Sequence, residues 1–204
     1  AIGYDAVEPW LPAYEASATE FRRKIDAAGL ACYGFHLPFK GLVADPQRFI
    51  DIAWTIGATL LIPPYLEPQD RPTTAEGWQA IGRELGRVRA IVEAEGLRLA
   101  WHNHDFEYRP LPDGSLPIDH LLSAGGDGLG YEIDFAWVIR GGGDPLTELK
   151  RWKDRLYAIQ VKDTAPPGTT TEGGWTPMGE GIVDWAALWP LFAETPADHL
   201  VVEH

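Results

Sequence analysis

The stretch Leu99-Ala-Trp-His-Asn-His-Asp-Phe-Glu-Tyr108 opens as an apolar run and ends in two histidines and two acids. Leu99 and Ala100 suit a buried strand. His102, His104, Asp105 and Glu107 cannot sit idle in the same place, because buried polar groups without partners are costly. A strand that is apolar inside and ends in ligand-type side chains belongs at the mouth of a sheet or barrel.

Working outward, the same pattern recurs. Upstream, Thr73-Thr-Ala-Glu76 reads as a capping box. Behind it Trp78, Ile81, Leu85, Val88 and Val92 recur at three- and four-residue steps, one face of a long helix that Gly96 closes. Before that helix lie an apolar strand, Thr59 to Pro63, and a helix opened by Asp45-Pro46 and ended at Gly57. Earlier still are a strand from Ala31 to Phe39, a helix from about Tyr14 to Ala28, and a first strand over Gly3 to Trp10. Downstream, a short helix is expected from about Leu116 to Ala124, then a strand over Leu129 to Asp134 with Ala136-Trp-Val as a turn. A helix capped by Asp144-Pro145 runs to about Lys153, and a strand spans Leu156 to Val161. A Gly-, Pro- and Thr-rich loop, Thr164 to Gly181, reads as a lid. Asp184 caps a helix through Phe192, and His199 to His204 is the seventh strand.

Alternating strands and helices predict an α/β fold with a parallel sheet. Seven steps at about 30-residue spacing predict a (β/α)8 barrel in one domain over 1–204. No GxGxxG or GxxxxGK[ST] loop supports a doubly wound sheet. The count is one strand short of eight, so the first strand with its helix and the last helix are expected to be missing. An open barrel leaves unpaired edges that invite other chains, which leaves a homo-oligomer open.

Composition narrows the function. The formal charge of −13 argues against nucleic-acid and anionic-membrane surfaces, which need clustered Lys and Arg. No apolar run reaches the roughly 18 residues of a membrane span. The one cysteine, Cys32, allows no internal disulfide and fits the reducing cytoplasm. Nine tryptophans offer aromatic faces of the kind sugar rings stack on.

Barrel active sites gather at the C-terminal strand ends. Those ends carry Glu8, His36, His102 with His104 and Glu107, Asp134, Gln160 with Lys162, and Glu203; the third strand delivers Pro63, Pro64 and Tyr65. Side chains alternate along a strand, so His102 and His104, Glu132 and Asp134, Gln160 and Lys162, and Val201 and Glu203 share one face. Trp101, Ile133, Val161 and Val202 then face the helices. Carboxylates, imidazoles and an amide oxygen at one rim form a ligand set for a divalent metal. Taken singly, each has a plainer reading: His36 as a structural histidine, Asp134 as a helix cap, Lys162-Asp163 as a surface pair, Glu107 as a solvated loop acid.

Gly3-Tyr-Asp-Ala-Val-Glu8, Trp101-His-Asn-His-Asp-Phe-Glu-Tyr108, Glu132-Ile-Asp-Phe-Ala-Trp137, Gly143-Asp-Pro145, Val161-Lys-Asp163, Gly179-Glu-Gly-Ile-Val-Asp-Trp185 and Val202-Glu203 together resemble the sugar phosphate isomerase/epimerase family. Its fold is the xylose-isomerase-like barrel, shared with inosose dehydratase and the ketose 3-epimerases. The resemblance implies Mn, Mg, Zn or Co held by His102, Asp134, Gln160 and Glu203. Many relatives have Glu in place of His102 and His in place of Gln160. The first change hands a ligand or base role to His104 or Glu107; the second weakens a site for a softer metal such as zinc. The resemblance also implies substrate contacts from Glu8, His36 and Lys162. Trp137 and Trp175 are the aromatic candidates, with Trp175 and Met178 in the covering loop.

The expected activity is metal-dependent isomerisation or epimerisation of a small sugar, sugar phosphate or keto-sugar, with Glu203 or Glu107 abstracting a proton alpha to a carbonyl. Dehydration of the inosose dehydratase type starts from the same abstraction. A non-catalytic sugar-binding domain with a degraded metal site is the rival of another class. An endonuclease on this fold would need a basic surface.

Overall fold

In the computed structural model, which describes residues 3–203, the predicted alternation is present. The strands are β1 (Gly34–His36), β2 (Leu60–Ile62), β3 (Arg98–His102), β4 (Gly130–Asp134), β5 (Leu156–Val161), β6 (Asp163–Thr164), β7 (Trp175–Thr176) and β8 (Leu200–Val202). Six of them form one sheet in the order β1-β2-β3-β4-β5-β8, every neighbouring pair parallel. β6 and β7 form a small antiparallel hairpin inside the predicted lid loop. The seventh predicted strand ended on His204, which lies outside the described residues.

The helices are α1 (Leu11–Tyr14), α2 (Ala18–Ala27), α3 (Phe39–Ala44), α4 (Pro46–Ile56), α5 (Ala75–Ala94), α6 (Pro117–Ala124), α7 (Phe135–Gly141), α8 (Pro145–Trp152) and α9 (Trp185–Leu188). Side-chain caps set most of the longer ones. Asp45, Asp144 and Asp184 each accept from a first-turn backbone N–H, as expected of N-cap residues. The cap of α5 is Thr74 and not Thr73, so Glu76 falls out of capping-box spacing. The helix expected from Tyr14 to Ala28 is broken in two, because the Ser17 hydroxyl accepts from Glu20 N at 3.1 Å and starts α2 afresh. The helix expected through Phe192 is one α-turn, followed by a 3-10 stretch that Pro190 helps to shape. α7, expected as a turn, forms because Asp134 ends β4 and caps the next residues.

The two faces of the sheet bury separate apolar clusters. Phe35, Leu61, Leu99, Trp101, Tyr131, Ile133, Ile159 and Val161 pack outward against the helices in the main core. Burying each large apolar side chain there stabilises by about 1.5–3 kcal/mol. Leu60, Ile62, Ala100 and Ala158 fill the inner face as a small second cluster, the floor under the mouth. Val202, expected to face helices, is half exposed: no described element covers it.

The sheet does not close. The Gly3–Trp10 segment makes only one isolated bridge, Ala6 to Ala31, and among the described residues β8 pairs only with β5. A cleft of about 520 Å³ separates the two edges, lined in part by Tyr4, Tyr33 and His199. This is the gap expected of a barrel lacking one strand.

Candidate active site

Parallel pairing carries strand-end side chains to one rim. His102 is opposite Glu132, Asp134 opposite Gln160, and Gln160 opposite Val201, so the register lifts the polar tips around the mouth. They surround a cleft of about 830 Å³ whose polar lining includes Glu8, His36, His102, His104, Gln160, Lys162 and Glu203.

The tightest grouping joins β1, β3 and β4. One ligand atom each of His36, His102 and Glu132 lies within 4.8 Å of the others. His36 Nε2 is 3.3 Å from Glu132 Oε1 and 3.1 Å from Glu8 Oε1. His102 Nδ1 is 3.2 Å from the same Glu132 oxygen but out of line for a hydrogen bond. Burial pulls the His36 imidazolium down, but the Glu132 and Glu8 carboxylates outweigh it and hold its pKa at about 10. Burial, reinforced by the charge of His36, holds His102 down at about 3. One imidazole is therefore cationic and the other neutral, with a carboxylate between them.

Several buried atoms here lack hydrogen-bond partners: both Glu8 oxygens, His102 Nδ1, His104 Nδ1, Glu132 Oε2, Asp134 Oδ2 and Gln160 Oε1. Buried polar atoms are normally satisfied, so so many orphans at one rim mark a place built for something else to bind. The donor set, two imidazole nitrogens and carboxylate oxygens, suits a divalent ion.

Of the set that the resemblance implied, His102 belongs to this grouping. Among the described residues, His102, Asp134 and Glu203 do not come within the same 4.8 Å of one another. Asp134 is fully buried and caps α7 through Trp137 N at 2.9 Å; burial pushes its carboxyl up to about 7, against the pull of Lys162. Gln160 is buried with its amide oxygen free. Glu203 is half exposed and forms an ion pair with Lys162 at 2.9 Å.

The aromatic candidates form a wall. Trp137 and Trp175 meet edge to face at 4.6 Å, and Lys162 Nζ lies 4.1 Å from the Trp175 ring centre. Trp137 lines the cleft and packs 4.9 Å from the His104 ring. Burial, with the nearby His102 and Lys162, holds His104 down at about 2, so it presents a neutral ring.

Glu107 lies elsewhere. Its carboxylate accepts from Trp101 Nε1 at 3.0 Å and from His104 N at 2.8 Å, on the helix side of β3. Burial pushes it up to about 8, against those hydrogen bonds. It holds the turn that carries His104 and does not line the cleft.

Three residues escaped the sequence-based site. Glu132 was placed on the inner face by strand alternation, but nothing local distinguished it from Asp134. Asn103 looks like a spacer between histidines; its amide accepts from Tyr131 OH at 2.6 Å and from Asp134 N at 3.0 Å, and donates to Asp134 O at 3.2 Å. Asp163 read as half of a surface pair. It is fully buried and gathers five donors: Thr164 N, Gly179 N, Gly181 N, Val183 N and Trp185 Nε1. Gly181 has no alternative there, since a Cβ would lie 2.1 Å from Asp163 Oδ1.

The model of the xylose isomerase-like TIM barrel family matches residues 1–204. The chain belongs to that family. An inosose dehydratase from Lacticaseibacillus casei is 23% identical over 151 residues, covering 65% of this chain and 49% of that protein. The chain thus spans about half the length of the curated relatives it matches. A sugar phosphate isomerase/epimerase from Parabacteroides distasonis superposes with a TM-score of 0.77 at 18% identity, over 98% of this chain and 79% of that one. A xylose isomerase-like TIM barrel protein from Mycobacterium smegmatis, solved in complex with magnesium, gives 0.73 at 18% identity, over 99% and 78%. Among the described residues, no helix is long and apolar enough to cross a membrane.

Proposed function

We propose that this chain carries the active site of a divalent-metal-dependent isomerase or epimerase acting on a small sugar or keto-sugar. The observation that carries the reading is the grouping of His36, His102 and Glu132 under a rim of unpartnered buried polar atoms. His36, His102 and Glu132 would hold the ion. When bound, a divalent ion supplies Lewis acidity toward a carbonyl and its neighbouring oxygen.

The chain's own residues do the rest. Glu203 is the base: it is a half-exposed carboxylate just past the end of β8, and its partner Lys162 lies between it and the aromatic wall. It takes the proton alpha to the carbonyl. Lys162 places positive charge where the oxyanion develops. Neutral His104 and the Gln160 amide offer hydrogen bonds to sugar hydroxyls, and Trp137, backed edge to face by Trp175, covers an apolar ring face. Asp163 fixes the lid loop that brings Trp175 into place. Glu107 and Asn103 act as positioning residues, for His104 and Asp134 respectively.

The residues favour proton abstraction and leave its outcome to the substrate. A leaving group beta to the carbanion would turn the same site to dehydration, as the name of the inosose dehydratase relatives describes for them. The single cysteine is buried and burial pushes its thiol up to about 12, which accords with a cytoplasmic enzyme that makes no use of it.

The test is exchange. Mn-loaded protein incubated with ketoses and keto-glycosides in heavy water is expected to wash deuterium into the alpha position. No uptake from any of them, with metal bound, would overturn the reading; a new unsaturated or diketo product would move it to the dehydratase branch.

A further inference from the structure

We propose that the cleft recognises an uncharged sugar bearing an aromatic substituent, and not a sugar phosphate. This deepens, and rests on, the sugar-directed reading given above. The cleft is larger than one sugar ring needs: about 830 Å³, within the range that seats drug-sized ligands. At the strand ends its lining is polar. Trp10, Leu11, Pro12, Phe39, Tyr65 and Leu66 add an apolar lining, edged by Lys40, Glu67 and Asp70.

Tyr65 joins the two halves. Its ring meets the His104 ring edge to face at 5.1 Å, so an occupant leaving the polar centre passes directly onto an aromatic surface. Trp10 is 67% exposed, although it lines this cleft. A large apolar ring left in water beside a polar site suits an apolar ligand group that covers it.

Charge excludes the phosphate. The lining holds four carboxylates, Glu8, Glu67, Asp70 and Glu203, against two lysines and the cationic His36, and no arginine. Both lysines are already paired: Lys40 with Asp70 at 2.6 Å and Lys162 with Glu203 at 2.9 Å. Fully buried Glu132 and Asp134 add carboxyl groups beneath. A phosphate dianion is normally met by arginine forks, free lysines or a helix N-terminus. Here it would meet surplus acid, whereas an aryl group meets Trp10 and Tyr65.

The experiment is calorimetric titration of the Mn-loaded chain with phenyl β-D-glucopyranoside, methyl β-D-glucopyranoside and glucose 6-phosphate, so that the common ring cancels in the ratios. The phenyl glycoside should bind at least about tenfold more tightly than the methyl glycoside, and glucose 6-phosphate should bind no more tightly than the methyl glycoside. Trp10→Ala, at an exposed position that leaves the core intact, should bring the phenyl-to-methyl ratio toward one. A wild-type ratio near one, undetectable phenyl glycoside binding, or tighter binding of the phosphate would overturn the proposal. Failure of deuterium exchange with the phenyl preference intact would instead sink the isomerase reading and leave the recognition of an aryl group standing.

Discussion

His36 Nε2 lies 3.3 Å from Glu132 Oε1, although the two residues are 96 positions apart in the chain. That one carboxylate oxygen also faces His102 Nδ1 at 3.2 Å, so Glu132 is the hub of the grouping. Glu132→Gln keeps the shape and removes the charge. Mn or Co affinity is expected to fall by more than about a hundredfold, beyond the 10–100-fold typical of an outer-shell partner. Titration calorimetry would read it, and unchanged affinity would place the ion elsewhere.

His36 gives that affinity a pH dependence. A ligand must shed its proton, and His36 is held protonated up to about 10 by Glu132 and Glu8. Between pH 6.5 and 8.5, metal affinity should rise by about tenfold per pH unit. The metal-free protein should do the opposite. The folded pKa stands above the ordinary 6.5, so the stabilisation from this ion pair is full below about 6.5 and is lost as pH rises through about 10. Flat metal affinity across that window would show that His36 is not a ligand.

Glu203→Gln should separate the base from the scaffold. Removing a general base typically costs 10²–10⁴-fold in rate, and deuterium exchange should fall by about that much. Its ion pair with Lys162 involves a half-exposed carboxylate, so melting should change little. Glu107→Gln should show the reverse pattern: it loses one of two acceptors that hold Trp101 and His104, and the loss appears first in stability.

Asp163→Asn tests the lid. The amide NH2 cannot accept, so part of the five-donor array loses its partner. We expect a loss of about 3 kcal/mol, a fall in Tm of about 6–12 °C, and faster proteolysis between Thr164 and Gly181. Unaltered cleavage in that loop would show that Asp163 does not hold it.

Asn103→Ala removes the amide that ties β3 to the end of β4. Four hydrogen bonds go; buried Asp134 N loses its side-chain acceptor, and Tyr131 OH is left with Tyr108 OH. A cost of about 3 kcal/mol is expected in a denaturant melt. A change below about 0.5 kcal/mol would mean that neighbouring groups replace it.

The order of strands and helices was legible in the sequence because its signals are local. A stretch such as Thr59 to Pro63 or Trp78 to Val92 states its own period, and Asp45, Asp144 and Asp184 cap helices through atoms three residues away. Strand alternation likewise put His102, Glu132 and Gln160 on the inner face. The errors were local competitions: Ser17 restarts a helix that periodicity alone would continue, and Asp134 nucleates α7 where a turn was expected.

Which inner-face residues meet was decided only by the tertiary structure. Alternation cannot say how far each strand is shifted against the next, and that shift selects His36, His102 and Glu132 as neighbours while turning Asp134 to capping α7. Nor can it distinguish a mouth acid from one folded behind the strand, as Glu107 is, or see that Asp163 collects donors up to 22 residues away. The sequence determines each strand's faces because side-chain direction is a property of one chain segment. The site depends on register between segments, and register is fixed only when the outward faces pack against the helices.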